Sequence, residues 1–142
     1  MSKSMGYRFG EIELDAENFR LTRAGEESSV EPQVFDLLIY LIERRERVVT
    51  RQELLDKLWA GKVVSDATLS NHIKMARAAI LDDGEQQKTI KTIRGRGYQF
   101  VGEIEFVKSE YQLKTAKSPN SLMVVGALAL ISLTALFIAS SM

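Results

Sequence analysis

The stretch Ser65–Phe100, SDATLSNHIKMARAAILDDGEQQKTIKTIRGRGYQF, decides the fold of this chain. Its first half predicts an α-helix, because Ser65-Asp66 offers an N-cap. Apolar residues then recur at steps of 4, 3 and 4, at Leu69, Ile73, Ala76 and Ile80. This spacing places one apolar stripe on the helix and leaves the opposite face for other contacts.

The outer face of this helix is small, polar and basic, with His72 and Arg77 at its edges. Its other candidate residues are Thr68, Ser70, Asn71, Lys74 and Met75. After a polar turn, Thr89–Ile93 and Tyr98–Val101 look like two strands joined by Arg94-Gly95-Arg96-Gly97. The predicted hairpin therefore has a basic tip.

Two further helices are predicted upstream. Val34, Leu37, Leu38 and Leu41 fall at helical spacing after Pro32, which predicts a helix over residues 33–46. Arg44, Arg45 and Arg47 then lie near its end, where they favour the helix dipole and form either a phosphate clamp or a solvated face. Thr50-Arg51-Gln52-Glu53 matches a capping box for a second helix, which Gly61 ends and whose Trp59 we expect in the core.

The N-terminal segment has a different pattern of apolar residues. From Tyr7 to Leu21 apolar and polar residues mostly alternate, and turn signals separate the runs. With the stretch around Ser29-Val30, this pattern predicts an antiparallel sheet of three or four strands. We expect this acidic sheet to serve as a scaffold or as a contact for a partner.

The formal net charge of the 142 residues is zero, but the charges are segregated. Residues 1–43 carry 4 basic and 9 acidic side chains, residues 44–97 carry 12 and 7, and residues 98–142 carry 3 and 3. The basic block coincides with the helices and the hairpin. Neutrality overall therefore does not exclude a nucleic-acid partner, and it locates the surface that would touch one.

Two helices followed by a third with a polar and basic face form a helix-turn-helix plan, in which the last helix enters the major groove. Arginines on the hairpin tip can reach phosphates or a narrow minor groove, although an ordinary solvated turn has the same pattern. Catalysis is unsupported, because one histidine and no cysteine make neither a zinc site nor a Ser/His/Asp arrangement. No enzyme, metal or cofactor is therefore expected, and His72 reads as a surface or phosphate-facing residue.

Three ordered pieces carry a family resemblance: FDLLIYLIERRERVVTRQELLDKLW (Phe35–Trp59), VVSDATLSNHIKMAR (Val63–Arg77) and TIKTIRGRGYQFVG (Thr89–Gly102). They resemble the C-terminal effector domain of OmpR/PhoB-type response regulators. The resemblance implies an α+β winged helix-turn-helix fold, with an N-terminal antiparallel sheet, three helices and a C-terminal hairpin wing. It also implies DNA contacts at Thr68, Asn71, His72, Lys74, Met75 and Arg77 on the helix and at Thr92, Arg94 and Arg96 on the wing.

The chain departs from that pattern at two positions. Met75 stands where many relatives have a base-reading polar residue, and Met offers only apolar contact, for example to a thymine methyl. Ala76 stands where a core leucine is usual, which weakens core packing.

The C-terminal part predicts a membrane anchor. No charged residue occurs from Ser118 to Met142, and residues 122–139 would span about 27 Å as a helix. Lys108, Lys114 and Lys117 precede this segment, which predicts a single-pass topology with the N-terminal domain in the cytoplasm. This plan resembles CadC/ToxR-like regulators of the bacterial inner membrane, here without an extracytoplasmic sensor.

The sequence thus predicts a winged-helix domain at 1–104, a juxtamembrane linker at 105–121 and a transmembrane helix at 122–139. The predicted function is a membrane-anchored, sequence-specific transcription regulator that binds promoter DNA. The alternative is a membrane-tethered interaction module that acts through another regulator or RNA polymerase without reading DNA itself. A homodimer and a membrane co-regulator are left open as further partners.

Overall fold

The structure is a computed structural model and describes residues 5–108. Four strands come first: β1 (Met5–Phe9), β2 (Ile12–Asp15), β3 (Arg20–Arg23) and β4 (Glu26–Ser28). Helix α1 (Pro32–Glu43), strand β5 (Val49–Thr50), helix α2 (Arg51–Leu58) and helix α3 (Asp66–Ala79) follow. Strands β6 (Ile90–Ile93), β7 (Gly97–Phe100) and β8 (Glu105–Lys108) complete the order.

The strands form two sheets. The N-terminal sheet has the order β4-β3-β2-β1-β8, and the second sheet has the order β5-β7-β6. Strands β1 to β4 pair antiparallel in sequence order, as predicted, although β4 lies at Glu26–Ser28 rather than around Ser29-Val30. The second sheet contains the predicted hairpin and adds β5, a stretch that the sequence shows only as a short extended link.

Within residues 5–108, one hydrophobic core lies between the sheets and the helices. Helix α1 is central to it, since Leu37, Leu38 and Leu41 have no exposed surface. The edge-to-face contact of Phe9 with Phe100, at 5.1 Å between ring centroids, joins the two sheets. The predicted stripe of α3 is buried throughout, with Ala76 fully enclosed, so the expected core face of that helix is confirmed.

Helix α1 is shorter than predicted. It ends at Glu43, and Arg44 is its C-cap, so the predicted helix over 33–46 extends too far. The arginines that were expected in its last turn lie beyond it, although Arg45 donates to the Ile42 carbonyl oxygen at 3.0 Å and so satisfies one terminal acceptor. Helix α2 likewise ends at Leu58, with Trp59 as its C-cap.

Strand β8 lies in the segment that the sequence assigns to a linker. The strand comes close to β1 at Gly6, where a Cβ would stand 3.2 Å from Val107 Cγ2. Phe106 packs against Tyr7 at 5.8 Å between ring centroids, and the Arg45 guanidinium lies over its ring at 5.5 Å. The predicted domain boundary at residue 104 is therefore corrected: the sheet includes residues 105–108.

Within residues 5–108 no helix is long and apolar enough to span a membrane. The predicted transmembrane helix at 122–139 lies outside the described residues.

Candidate nucleic-acid interface

Helix α3 presents the first part of the candidate interface. Its start is fixed by Ser65, whose hydroxyl accepts a hydrogen bond from the Thr68 amide at 3.3 Å. Of the predicted contact residues on this helix, Ser70, Asn71 and Lys74 are exposed, and they lie on the face opposite the buried stripe. This face can offer a hydroxyl, an amide and one positive charge to a ligand.

His72 is held against the domain. Its Nδ1 donates to the Thr68 carbonyl oxygen at 2.8 Å, and its ring meets the Trp59 ring edge to face at 5.0 Å between centroids. The side chain is half-buried. Trp59 is half-buried and packs against the core, as predicted, and its contact with His72 joins the end of α2 to α3.

Met75 is half-buried and packs against the hydrophobic core. The Asn71 side-chain amide donates to its sulfur atom at 3.8 Å. The contact links Asn71 to a residue one turn further along the helix. Met75 therefore contacts a residue of the exposed face in addition to packing against the core.

The wing consists of β6, β7 and the turn between them. Arg94, Gly95 and Arg96 form its tip and are exposed. Gly95 has a φ of 70°, a left-handed conformation that glycine adopts without strain, and the Arg96 amide donates to the Ile93 carbonyl oxygen at 2.9 Å to close the turn. Two guanidinium groups are thus carried on a short turn at the end of a paired hairpin.

Gly97 anchors the wing to β5. A Cβ at this position would overlap the carbonyl oxygen of Val49 and lie 2.8 Å from Thr50 Cα. Only glycine therefore allows β7 to pair with β5 in the observed register.

Arg77 and Thr92, predicted as DNA contacts on α3 and the wing, contact each other. Arg77 Nη2 donates to Thr92 Oγ1 at 2.8 Å and to the Ile90 carbonyl oxygen at 3.0 Å, and Nε donates to the same carbonyl at 3.2 Å. Both side chains are half-buried. The structure thus brings the two residues together at the junction between the helix and the wing.

Arg51 is a further functional candidate that sequence reasoning missed. It donates to the Tyr98 hydroxyl at 2.8 Å, to the Asp66 carbonyl oxygen at 3.2 Å and to Ser70 Oγ at 3.3 Å. It therefore links α2, α3 and the wing beside the exposed face. The capping-box pattern singled out its neighbours Thr50 and Glu53, and the separation of 47 residues from Tyr98 left no local signal for this contact.

The arginine run after α1 makes contacts within the domain. Arg47 binds the Glu53 carboxylate with two hydrogen bonds, at 2.6 and 2.8 Å, and the Arg44 guanidinium lies 3.6 Å from the centre of the Tyr40 ring. The hydrogen bonds from Arg47 and from the Tyr40 hydroxyl lower the pKa of Glu53 to about 2. These contacts account for the run without a ligand.

The capping box is completed only in part. The Thr50 hydroxyl accepts from the Glu53 amide at 3.1 Å, as predicted. The Glu53 carboxylate, which was expected to return to the helix start, instead binds Tyr40 and Arg47.

Within residues 5–108 no group of three or more histidine, cysteine, aspartate or glutamate side chains is placed to hold a metal ion. The candidate interface consists of the exposed α3 face and the wing tip, which offer hydrogen-bonding groups and positive charge.

Three helices with a basic hairpin after the last of them define a winged helix-turn-helix domain. Comparison with protein families agrees: residues 25–100 match the model of the family "Transcriptional regulatory protein, C terminal". The match covers more than half of the 142 residues, and the chain belongs to this family.

Among curated proteins, the chain is 36% identical over 91 residues to the DNA-binding response regulator MtrA of Mycolicibacterium smegmatis. It is 35% identical over 94 residues to the sensory transduction protein RegX3 of the same organism. These alignments cover 63% and 66% of this chain but only 40% and 41% of the relatives. The similarity therefore concerns one part of those longer proteins.

Comparison with solved structures also finds domains of this fold. The response regulator DrrB of Thermotoga maritima, an OmpR/PhoB homolog, matches with a TM-score of 0.63 and 37% identity over 68% of this chain and 44% of that one. The RstA DNA-binding domain of Klebsiella pneumoniae, solved in complex with the RstA box, matches with a TM-score of 0.60 and 26% identity, covering 68% of this chain and 96% of that domain. The E. coli CadC DNA-binding domain shares the fold at 22% identity, with a TM-score of 0.61 over 75% of this chain and 100% of that domain. The domain is therefore of OmpR/PhoB type.

Proposed function

We propose that this protein is a transcription regulator that binds specific promoter sequences, with α3 in the major groove and a wing arginine in the minor groove. The observation that carries the proposal is the exposed set Ser70, Asn71 and Lys74 on α3, next in the fold to a wing whose tip exposes Arg94 and Arg96. Hydroxyl and amide groups suit base edges, and the three cations suit phosphates and the negative minor groove.

The comparisons support this assignment by family. RstA, which shares the fold, was solved on its DNA box, and MtrA is named as a DNA-binding regulator. For Met75 and the half-buried His72 we propose roles at the edge of the interface, since both are in contact with the domain. The other predicted contact residues, Thr68, Arg77 and Thr92, are partly committed to internal hydrogen bonds.

The proposal is tested by selecting duplexes from a random pool with the full-length chain in mild detergent. We expect one sequence to be enriched, and Lys74→Ala and Arg94→Ala each to weaken its binding. Each lost phosphate contact should also lower the slope of log K against log salt by about 0.9. Lys57→Ala is the matched control, because Lys57 is exposed on α2 and lines a groove with Phe19 and Tyr40 rather than the interface.

Failure to enrich any sequence, with affinity equal to that for a scrambled duplex, would overturn the proposal. The interaction module without DNA readout would then be the better assignment.

We propose, in addition, that the protein is anchored in the bacterial inner membrane by residues 122–139, with the winged-helix domain in the cytoplasm. The uncharged and apolar composition of that segment supports the anchor, and the three lysines before it support the orientation. The test is extraction of membranes with alkaline carbonate. We expect the chain to stay in the pellet and the double variant Leu130→Lys/Ile131→Lys to be released, since each central lysine costs about 2.5 to 3.5 kcal/mol on insertion.

Tyr111→Lys is the matched control, because it adds a charge outside the segment. Release of the wild-type chain by carbonate would rule out the anchor and leave the DNA-binding proposal standing.

A further inference from the structure

Strand β6 lies at the edge of its sheet, and side chains occupy its outer side. In the order β5-β7-β6 it pairs only with β7. On the other side, the Ile90 amide donates to Asp82 Oδ2 at 2.9 Å and the Thr92 amide donates to Gln87 Oε1 at 2.9 Å. Two amides that this edge strand leaves without a strand partner are thus bound by residues that follow α3 in the chain.

Arg77, a residue of α3, also binds the outer side of β6. Its guanidinium makes three hydrogen bonds to β6, two to the Ile90 carbonyl oxygen and one to the Thr92 hydroxyl. The fork of N–H groups on a guanidinium is rigid and planar, so these bonds fix both the distance and the angle between helix and strand. A lysine ammonium cannot reproduce them.

The contact between Arg77 and Thr92 lies close in sequence to the exposed cations of the wing tip and of α3. Thr92 pairs with Tyr98 across the hairpin, and Arg94 lies two residues beyond Thr92. At the other end, Lys74 lies three residues before Arg77, on the same helix. The link from Arg77 to Thr92 therefore stands between the cation on α3 and the cations of the wing tip.

We propose that Arg77 and Thr92 are positioning residues: they set the wing relative to α3 so that Arg94 and the exposed α3 face engage one duplex together. This inference rests on the proposed DNA-binding function. It assigns Arg77 a role that differs from direct contact with DNA, since Nε and Nη2 already donate to β6. Arg77 contributes to affinity through Arg94, and its charge is secondary.

The experiment is a double-mutant cycle on the full-length chain with the duplex enriched by selection. Arg77→Lys and Arg77→Gln should weaken binding equally, by about tenfold, because both remove the fork. Arg94→Ala should lower the affinity about tenfold in the wild type but less than about threefold in the Arg77→Gln background, since a displaced wing has lost that contact already. Lys74→Ala should keep its full effect in both backgrounds. In the Thr92→Val background the effect of Arg94→Ala on affinity should also be reduced, but by less than in the Arg77→Gln background.

Binding by Arg77→Lys at the wild-type level, together with additive effects of Arg77→Gln and Arg94→Ala, would overturn the inference and make Arg77 a direct contact. Trp59 fluorescence and circular dichroism check the fold of each variant, and Thr92→Val serves if Arg77→Gln does not fold.

A second readout is independent of DNA and separates this inference from the proposed function. Amide hydrogen exchange in β6 and β7 should accelerate at least about tenfold in Arg77→Lys, while exchange in β2 and β3 stays at the wild-type rate. Unchanged exchange in the wing would overturn the positioning role whether or not the wild type binds DNA. Faster wing exchange in a chain that binds no duplex would leave the link intact and reject only the DNA-binding function.

Discussion

Arg51 and Tyr98, which are 47 residues apart in the chain, are joined by a hydrogen bond of 2.8 Å from the guanidinium to the phenolic oxygen. Tyr98 is almost completely buried in β7, whereas the Arg51 side chain is partly exposed at the start of α2. The same guanidinium donates to the Asp66 carbonyl oxygen and to Ser70. The first turn of α2 therefore holds both elements of the candidate interface.

Removing the Tyr98 hydroxyl should destabilise the domain measurably. We expect Tyr98→Phe to lower the free energy of unfolding by about 1 kcal/mol, because a partly buried hydrogen bond to a charged donor is lost while the ring remains. In the background of Arg51→Ala the same change should cost much less, since the donor is already absent. Urea unfolding followed by Trp59 fluorescence measures both values, and additive costs would show that the bond contributes nothing.

The two glycines of the wing should respond differently to alanine. Gly95 has a positive φ of 70° and open space around its Cα, so Gly95→Ala should cost about 1 kcal/mol from backbone strain alone. At Gly97 the new methyl group would overlap the Val49 carbonyl oxygen, and the cost should exceed about 3 kcal/mol. Thermal unfolding of the two variants tests this order. Equal costs would mean that β5 and β7 do not approach as closely as the structure shows.

Glu53 should give the domain a stability that depends on acid pH. Hydrogen bonds from Arg47 and Tyr40 hold the pKa of its carboxyl at about 2, below the ordinary value of 4.5. Since the folded-state pKa is the lower one, the stabilisation is complete above about pH 5 and is lost as the pH falls towards 2. The difference in unfolding free energy between wild type and Glu53→Gln should therefore shrink over that range. Glu11→Gln, which removes a carboxylate at an exposed turn, is the control.

The sequence predicts the fold well where one local pattern suffices. The spacing of Leu69, Ile73, Ala76 and Ile80 identifies α3 and its buried face, and the glycine-flanked arginines identify the wing. Strand β8 escapes prediction because its pairing with β1 depends on contacts nearly 100 residues apart in sequence, and EFVK has no alternation of its own. The end of α1 is overestimated because arginines favour helix but here pair with Tyr40, Ile42 and Glu53.

The candidate site likewise contains residues whose placement the sequence predicts and residues whose placement it does not. Exposure of Ser70, Asn71 and Lys74 follows from helical periodicity, which fixes the side of α3 that faces away from the core. The commitment of Arg77 to Ile90 and Thr92 does not follow from it, because an arginine at the edge of a helix face can turn towards solvent or towards the domain. Only the position of β6 decides between these directions.

Asp82 carries the last prediction, since its carboxylate holds the chain between α3 and β6. Oδ1 accepts from the amides of Asp83 and Lys88, and Oδ2 accepts from those of Thr89 and Ile90. Burial by itself would raise the pKa of Asp82, but these four N–H donors outweigh it and keep the pKa below the ordinary value.

Asp82→Asn replaces one acceptor oxygen by an NH₂ group that faces two N–H donors. We expect it to lower the unfolding free energy by about 1 to 3 kcal/mol and to raise hydrogen exchange at Thr89 and Ile90. Asp83→Asn is the matched control: Asp83 is exposed and only Oδ1 accepts, from the amides of Glu85 and Gln86, a turn that asparagine also forms. It should cost less than about 0.5 kcal/mol.

Because the folded-state pKa of Asp82 is the lower one, its contribution is present above about pH 5 and fades below about pH 4, so the two variants should converge in acid. Equal stability of both variants at neutral pH would show that Asp82 does not fasten β6 to the end of α3.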